Sequence, residues 1–249
     1  MKAADLRSWT MRLSRIAVGL FFSCLGFAMN LRSHLGLGPL YVVQDGVAKH
    51  TGLTIGVAGI GIGLFMFVLA LLLREMPGIG TLATVVAGGF MIDAILAVFP
   101  DVDPLPARIA LLVLCLPVMT FGGALLMSAN LGVAPLDAVM VGVYRRTPLS
   151  MYQVRVALEL LMFLVGWALG GEVGIGCFYV ALGVGPGIEI WLRVLRAMPA
   201  KNTELMGAEP ITFDGFFDRR VDADSGEGAA TDAGAAADPT GEGADAAQP

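Results

Sequence analysis

Long apolar runs, separated by short polar segments, occupy most of the chain between residues 16 and 195. The first run extends from Ile16 to Leu31 and follows a polar segment that is rich in basic residues. Five further runs lie at about 54–73, 79–99, 107–129, 151–170 and 175–195. Each has roughly the twenty residues with which a helix crosses a hydrocarbon core of ~30 Å. The pattern therefore predicts an all-α membrane protein with six transmembrane helices.

Two shorter apolar segments, Pro39 to Lys49 and Pro135 to Arg146, lie between these runs and are too short to span a membrane. Each begins with a proline after a small residue, which is typical of the first turn of a helix. We expect either interfacial helices or broken, re-entrant helices that dip into the bilayer. In the second case their backbone must line a cavity or pack against protein, because lipid offers it no hydrogen bonds.

The two halves of the apolar region repeat one another at a constant offset of 96 positions. LGLGPL at 35–40 falls on LGVAPL at 131–136, and about 20 of the 72 positions in 26–97 are identical to those in 122–193. This indicates an internal duplication, with a first copy at 16–105 and a second at 106–199. The turn motifs shared by the copies contain Gly36, Pro39, Gly78, Gly80, Gly132, Pro135, Gly174 and Gly176.

Composition and charge agree with this picture and add an orientation. The chain is 56% hydrophobic and 15% charged, so it is more apolar than a soluble domain of 249 residues. With the N-terminal segment 1–15 in the cytoplasm, ten Lys or Arg residues fall on the cytoplasmic side and three on the other. Both termini are then cytoplasmic. Since each copy has three spans, we expect the second copy to be inverted relative to the first, as in many secondary transporters.

The C-terminal segment differs from the rest of the chain. Residues 201–249 hold eleven Asp or Glu and three Lys or Arg, a net charge of −8, in sequence rich in Ala and Gly. Such a sequence cannot bury enough apolar surface to order itself. Residues 200–249 are therefore predicted to form a disordered, acidic cytoplasmic tail.

Acidic residues inside the apolar runs are candidates for function, because a charge in hydrocarbon is costly. Asp93 in the third run and Glu189 in the sixth occupy equivalent positions of the two copies. We expect the pair either to lie on a path for a cation, proton or amine, or to be helix-end carboxylates that reach the membrane interface or cap a neighbouring helix. The sequence leaves both interpretations open.

A second set of charged candidates belongs to the second copy alone. Arg155 and Glu159 lie four residues apart on one helix face, where they either neutralise each other or hold an anionic group of a substrate. Their first-copy equivalents are Gly59 and Gly63, so the fold itself does not require charge there. Asp137 lies in the first turn of a predicted short helix, where a carboxylate is favourable.

No residue arrangement typical of enzymes accompanies these charges in the sequence. The three cysteines, Cys24, Cys115 and Cys177, lie inside apolar runs and lack metal-ligand spacing. The glycine-rich stretches lack the other residues of a phosphate-binding loop. We therefore expect no catalytic residue, metal, cofactor or nucleic acid partner. The expected partners are the lipid bilayer and a small solute.

Taken together, the motifs resemble those of the bacterial YczE/YitT-type integral membrane proteins, the YczE branch in particular. The matching stretches are LGLGP at 35–39, MPGIGT at 76–81, ID at 92–93, LGVAPLDAVM at 131–140, RT…VR…E across 146–159 and GGEVGIG…GVGP across 170–186. The resemblance implies a small multi-pass protein of the cytoplasmic (inner) membrane, in a family some of whose members are linked to transport-like or secondary-metabolism roles. It also implies that Asp137, Arg155 and Glu159 are polar positions of the family type.

The sequence thus predicts a transporter or exporter of a small solute that works by alternating access of two inverted halves. The candidate polar path consists of Asp93, Asp137, Arg155, Glu159 and Glu189. One alternative is a membrane accessory or sensor protein that binds a partner or lipid and does not transport. Another is a homodimer whose paired chains form a channel.

Overall fold

The computed structural model describes residues 3–75, 79–128 and 134–197, and all regular secondary structure in these ranges is helical. The helices are α1 (Ala3–Ser33), α2 (Pro39–Thr51), α3 (Ile55–Leu72), α4 (Ile79–Val98), α5 (Leu105–Ser128), α6 (Pro135–Tyr144), α7 (Met151–Ala168) and α8 (Ile175–Ala197). The predicted tail at 200–249 lies outside the described residues, as do Gly78 and Gly132.

Six of the helices in the described ranges, α1, α3, α4, α5, α7 and α8, are long and apolar enough to cross a membrane. This confirms the predicted all-α, six-span architecture. The predicted and observed boundaries agree closely: the run at 54–73, for example, forms α3 from Ile55 to Leu72. The N-terminus differs, because the basic segment predicted to precede the first span is helical from Ala3 and continues into the apolar part, Leu13–Ser33.

The surface of the helices is apolar, as a lipid environment requires. Large side chains such as Leu72, Val98 and Leu182 are 75%, 84% and 76% exposed. Exposed apolar side chains distributed over several helices in this way are unusual for a soluble monomer. The chain is therefore a multi-pass membrane protein.

The two short helices begin where the sequence predicts. Pro39 is the first residue of α2 and Pro135 is the first residue of α6, where a missing N–H costs no hydrogen bond. Helix α2 is capped after Thr51 by Gly52, which has a φ of +71° and donates its N–H to the Ala48 carbonyl over 2.9 Å. Gly80, one of the predicted turn residues, lies in the first turn of α4.

Most contacts between helices have a counterpart at the repeat offset. The contact of α1 with α4 is equivalent to that of α5 with α8. The contact of α2 with α7 is equivalent to that of α6 with α3, and the contact of α2 with α3 is equivalent to that of α6 with α7. Helices α1 and α5 pack on each other. One pair breaks the pattern, since α3 and α4 are packed together whereas the described parts of α7 and α8 lack comparable contact.

The contact between α1 and α5 depends on two glycines at equivalent positions. A Cβ atom added at Gly26 would lie 2.6 Å from the backbone nitrogen of Met119, and one added at Gly122 would lie 2.3 Å from the backbone nitrogen of Ser23. No side chain fits at either position, so these helices approach backbone to backbone. The two contacts are equivalent, because Met119 lies 96 positions after Ser23, as Gly122 does after Gly26.

The apolar core between α2, α3, α6 and α7 is built from equivalent residues of the two copies. Its buried members include Val43 with Val139 and Met66 with Met162, each pair 96 positions apart. Partly buried residues around them form further equivalent pairs, namely Leu40 with Leu136, Val47 with Val143 and Ile62 with Leu158. Both copies therefore contribute the same positions to one shared core.

Candidate functional site

A cavity of about 210 Å³ lies between α1, α2, α3, α4 and the start of α6. Its walls are mainly apolar or glycine, and the polar side chains among them are Ser23, Tyr41, Gln44 and Thr84. Its apolar lining includes Leu20, Phe27, Leu40, Ile62, Met66, Val85, Ile92 and Leu136. No charged side chain belongs to the described residues that line it.

The cavity lies near the middle of the long helices. Ser23 is at the centre of the apolar part of α1, Gly63 is near the centre of α3, and Gly88 is at the centre of α4. The N-terminal residues Tyr41 of α2 and Pro135 of α6 reach the same space. Contact with mid-span residues favours the re-entrant form of both short helices over the interfacial form.

Gln44 is the most unusual residue of the cavity wall. It is only 8% exposed, and its Oε1 atom has no hydrogen-bond partner in the described structure. A buried polar atom left unpaired costs about 1–3 kcal/mol. Two other described side chains have such an atom, but neither of them, Asn30 or Arg32, lines the cavity. Gln44 Oε1 is therefore a hydrogen-bond acceptor that the described part of the protein leaves unfilled.

The space for the Gln44 amide is provided by a glycine on α3. A Cβ atom added at Gly59 would lie 3.3 Å from Gln44 Oε1 and 3.5 Å from its Nε2. At the equivalent positions the second copy has Met140 and Arg155. Sequence reasoning missed Gln44; the signal that identifies it is a polar residue whose equivalent in the other copy is apolar.

Asp93 lies beside the cavity and acts as a cap for α3. Its Oδ2 atom accepts a hydrogen bond from the Thr54 hydroxyl at 2.6 Å, and its Oδ1 atom accepts one from the Gly56 N–H at 2.8 Å. Thr54 is itself the N-cap residue of α3. Of the two roles left open by the sequence, this geometry matches the capping of a neighbouring helix end.

Its equivalent, Glu189, has a different environment. Glu189 pairs with Arg193 one turn further along α8, and both side chains are more than half exposed. Nothing in this geometry connects Glu189 with Asp93 or with the cavity. The two equivalent acids are therefore not brought together.

The remaining three charged candidates do come together between α6 and α7. Arg155 donates from Nε to Glu159 Oε1 over 3.1 Å, and each side chain is 30% exposed. Asp137, in the first turn of α6, is half-buried. Burial raises its pKa from 3.8 to about 6; the Arg155 charge lowers this pKa and the Glu159 charge raises it. We call Asp137, Arg155 and Glu159 the charged cluster.

Helices α7 and α8 approach each other near the start of α8. The rings of Phe163 and Phe178 are 6.4 Å apart, with α8 beginning at Ile175. Two turns further along α8, a Cβ atom added at Gly185 would have nothing within 4 Å. Its equivalent Gly89 is closely packed, since a Cβ atom there would lie 2.4 Å from Ile60. The first copy is therefore closed at this place and the second is open.

Three of the predicted turn glycines form one contact between the copies. Gly36 has a φ of +109°, and a Cβ atom there would lie 2.4 Å from the Gly174 nitrogen. Gly176 donates its N–H to the Leu35 carbonyl over 2.8 Å, and a Cβ atom on Gly176 would lie 2.3 Å from the Gly36 oxygen. Glycine is needed at these positions because two backbones touch.

Two buried acids that sequence reasoning did not select hold the ends of the short helices. Asp45 of α2 is 4% exposed and accepts hydrogen bonds from Lys49 Nζ at 2.6 Å and from the Glu172 N–H at 2.7 Å. Glu75, which follows α3, is 7% exposed and lies 3.5 Å from Arg145. Lys49 and Arg145 are equivalent residues, so each copy has one such ion pair at the end of its short helix.

These features define a polytopic α-helical membrane protein with an uncharged internal cavity. The chain belongs to the family described as "Family of unknown function (DUF6198)", whose sequence profile matches residues 10–193. It is similar to an uncharacterised protein of Haemophilus influenzae, with 29% identity over 194 residues that cover 77% of this chain and 89% of the relative.

The chain is also similar to the "Uncharacterized membrane protein YczE" of Bacillus subtilis. The two are 27% identical over 216 residues, which cover 84% of this chain and 99% of the relative. This confirms the resemblance of the sequence motifs to the YczE branch. No solved structure matches the chain significantly.

Proposed function

We propose that this protein carries a small solute across the bacterial cytoplasmic membrane by alternating access of two inverted halves. The observation that carries the proposal is the cavity at mid-span depth, which the N-terminal residues of both short helices, Tyr41 and Pro135, reach. Substrate sites at the midplane, formed where discontinuous helices end, are the usual plan of transporters with inverted repeats.

The shared core supports two inverted halves. An axis that relates the copies must bring equivalent residues close to each other, as is observed for Val43 with Val139 and for Met66 with Met162. The ten-to-three distribution of basic residues supports an orientation with both termini in the cytoplasm. With an odd number of spans in each copy, that orientation inverts the second copy.

The difference between the halves supports alternation. In this orientation the contact of Thr54 with Asp93 closes α3 on α4 at the extracytoplasmic end. The open end of α7 and α8, around Gly185, faces the cytoplasm. The structure then corresponds to a state that is closed outside and open inside, and a second state would exchange these roles.

The charged cluster is the proposed cytoplasmic entrance of this path. Asp137 is on the helix that begins at the cavity, and Arg155 and Glu159 are on the helix that borders the open side. Because the pKa of Asp137 is raised to about 6, its proton can be exchanged near neutral pH. We propose that Asp137 is where proton binding is coupled to transport.

The test is flux in lipid vesicles that contain the purified protein. The vesicles are loaded with a mixture of small metabolites, and the release of each is followed by mass spectrometry against protein-free vesicles. At least one solute is expected to leave faster with the protein. The double variant Arg155→Gln/Glu159→Gln removes both members of the ion pair together, and we expect it to slow this release at unchanged expression. If no solute is released faster than from protein-free vesicles, the proposal is wrong.

Removal of residues 201–249 separates transport from the accessory or sensor alternative. A transporter whose path lies within the helices is expected to keep its flux without this segment. A protein that acts by binding a partner through the acidic segment would lose its cellular effect on the same truncation.

A further inference from the structure

The cavity has the properties of a binding site for a neutral molecule, and none of the charged residues selected from the sequence belongs to its wall. Its described lining contains no charged side chain. An ionised ligand in such a site would leave water without gaining a counter-charge, which is strongly unfavourable. The ligand that fits is therefore uncharged.

The volume of the cavity limits the size of that ligand. About 210 Å³ is below the range of ~300–1,000 Å³ that is typical for drug-sized ligands. An engineered apolar cavity of ~150 Å³ in a soluble protein accommodates benzene. The space described here suits a molecule somewhat larger than a single benzene ring.

The position of the ligand's polar group follows from Gln44. Its buried Oε1 atom has no partner and faces Gly59 at the cavity wall. Two other polar groups of the wall already have partners, since the Thr84 hydroxyl donates to the Thr81 carbonyl at 2.9 Å and the Tyr41 hydroxyl contacts Met119 Sδ at 3.9 Å. Among the described side chains of the wall, Gln44 is thus the one with a buried atom that lacks a partner, and a ligand group reaches this atom when the Gln44 amide turns into the cavity.

We infer that this cavity binds a small neutral molecule with an apolar, ring-sized body and one hydroxyl or amide group, and that Gln44 is the residue that selects the polar group. As a description of the transported solute, this inference rests on the proposed function. As a description of a binding site, it does not, because binding at equilibrium requires no transport.

The test uses 4-fluorobenzyl alcohol as the probe and 4-fluorotoluene as its apolar match, with binding to the purified full-length protein followed by fluorine NMR. The parent protein is expected to bind the alcohol more tightly than the toluene. In Gln44→Met, which introduces the residue found at the equivalent position 140, we expect about tenfold weaker binding of the alcohol and little change for the toluene. A merely structural role of Gln44 would weaken the binding of both probes.

A matched pair of glycine variants of α3 provides the control. Gly59→Ala places a methyl group 3.3 Å from Gln44 Oε1, whereas Gly61→Ala places one where nothing lies within 4 Å. We expect Gly59→Ala to reduce the preference for the alcohol and Gly61→Ala to leave it unchanged.

Three results would overturn the inference: equal binding of both probes by the parent protein, a preference for the alcohol that persists in Gln44→Met, or tighter binding of 4-fluorobenzoate than of 4-fluorobenzyl alcohol. These results are independent of the flux test. If the protein prefers the alcohol but releases no solute, the transport proposal is wrong and the binding site stands. If a solute is released but the preference does not depend on Gln44, the inference about the binding site is wrong and the transport proposal stands.

Discussion

Thr54, at the start of α3, donates its hydroxyl to the Asp93 carboxylate on α4 over 2.6 Å, and this contact joins the two helices beside the cavity. The equivalent residues of the second copy make no such contact. Ser150 instead forms a capping box with Gln153 of its own helix, and Glu189 pairs with Arg193. The residues at these two positions therefore join α3 to α4 in the first copy, whereas in the second copy they do not join α7 to α8.

Loss of the Asp93 carboxylate is expected to open the first copy. Asp93→Ala removes the acceptor for Thr54 and for the Gly56 N–H, so that α3 loses part of its N-terminal capping. Cys24, which lines the cavity and is 4% exposed, reports on this change. In a protein without Cys115 and Cys177, we expect Asp93→Ala to raise the rate at which a membrane-impermeant thiol reagent added outside labels Cys24.

The equivalent change Glu189→Ala is the control for this experiment. Glu189 is exposed and pairs only with its neighbour Arg193 in the described contacts, so labelling of Cys24 from outside is expected to stay at the parent rate. A labelling rate that is equally low in the parent and in Asp93→Ala would show that the Thr54 contact does not keep the cavity closed.

The spans could be predicted from the sequence because each depends on a local property. A run of about twenty apolar residues has one low-energy form in lipid, a helix, and its ends are marked by polar residues, Pro or Gly. The start of α6 at Pro135 is of the same kind. These features involve no information from distant parts of the chain.

The cavity could not be predicted in this way, because it depends on contacts between helices. Gln44 is unremarkable within its own helix and becomes conspicuous only because Gly59 of α3 leaves room for its amide. Charge was a useful guide to Asp137, Arg155 and Glu159, which the structure brings together. It was a poor guide to the cavity, whose described wall is uncharged.

The approach of α1 and α5 predicts a large loss of stability for a small substitution. In Gly122→Ala the new methyl group would lie 2.3 Å from the Ser23 backbone nitrogen, so the helices must separate. We expect destabilisation by about 1–3 kcal/mol, the usual cost of overpacking. It is measured as a lower midpoint of thermal unfolding in detergent.

The neighbouring variant Gly123→Ala is the control for Gly122→Ala. Its methyl group would meet only the end of the Ile188 side chain, at 3.3 Å, and that side chain can move. We expect its unfolding midpoint to stay near that of the parent. Equal midpoints for Gly122→Ala and Gly123→Ala would contradict the backbone contact.

The raised pKa of Asp137 predicts a pH dependence of stability with a definite sign. Burial raises this pKa from 3.8 in the unfolded chain to about 6 in the folded protein, so the folded state binds the proton more tightly. The resulting contribution to the free energy of unfolding is fully present below pH 3.8 and is lost as the pH rises through about 6. Asp137→Asn keeps a neutral side chain at every pH, so we expect it to gain stability relative to the parent as the pH is raised through this window.

The measurement for Asp137 is the difference in thermal midpoint between Asp137→Asn and the parent protein at a series of pH values. The difference cancels the contributions of the other carboxylates. If this difference stays constant between pH 3.8 and about pH 6, folding leaves the pKa of Asp137 at its ordinary value and the prediction is wrong.

Gly185 allows the exchange of the two halves to be tested without knowledge of the solute. A Cβ atom at Gly185 meets nothing within 4 Å, whereas a Cβ atom at the equivalent Gly89 would lie 2.4 Å from Ile60. A leucine at position 185 therefore fits the described state but would prevent α8 from closing on α7 as α4 closes on α3. Gly61→Leu is the matched control, because a Cβ atom at Gly61 also has nothing within 4 Å and Gly61 faces away from the contact of α3 with α4.

We expect both leucine variants, Gly185→Leu and Gly61→Leu, to express and unfold like the parent protein. Labelling of Cys24 by an impermeant reagent added outside should fall to a small fraction of the parent rate in Gly185→Leu and stay unchanged in Gly61→Leu. The reason is that access from outside requires the state in which the second copy closes, which the leucine side chain excludes. If Gly185→Leu leaves labelling from outside and solute flux at parent levels, α7 and α8 do not close during the cycle, and alternation between equivalent states is excluded.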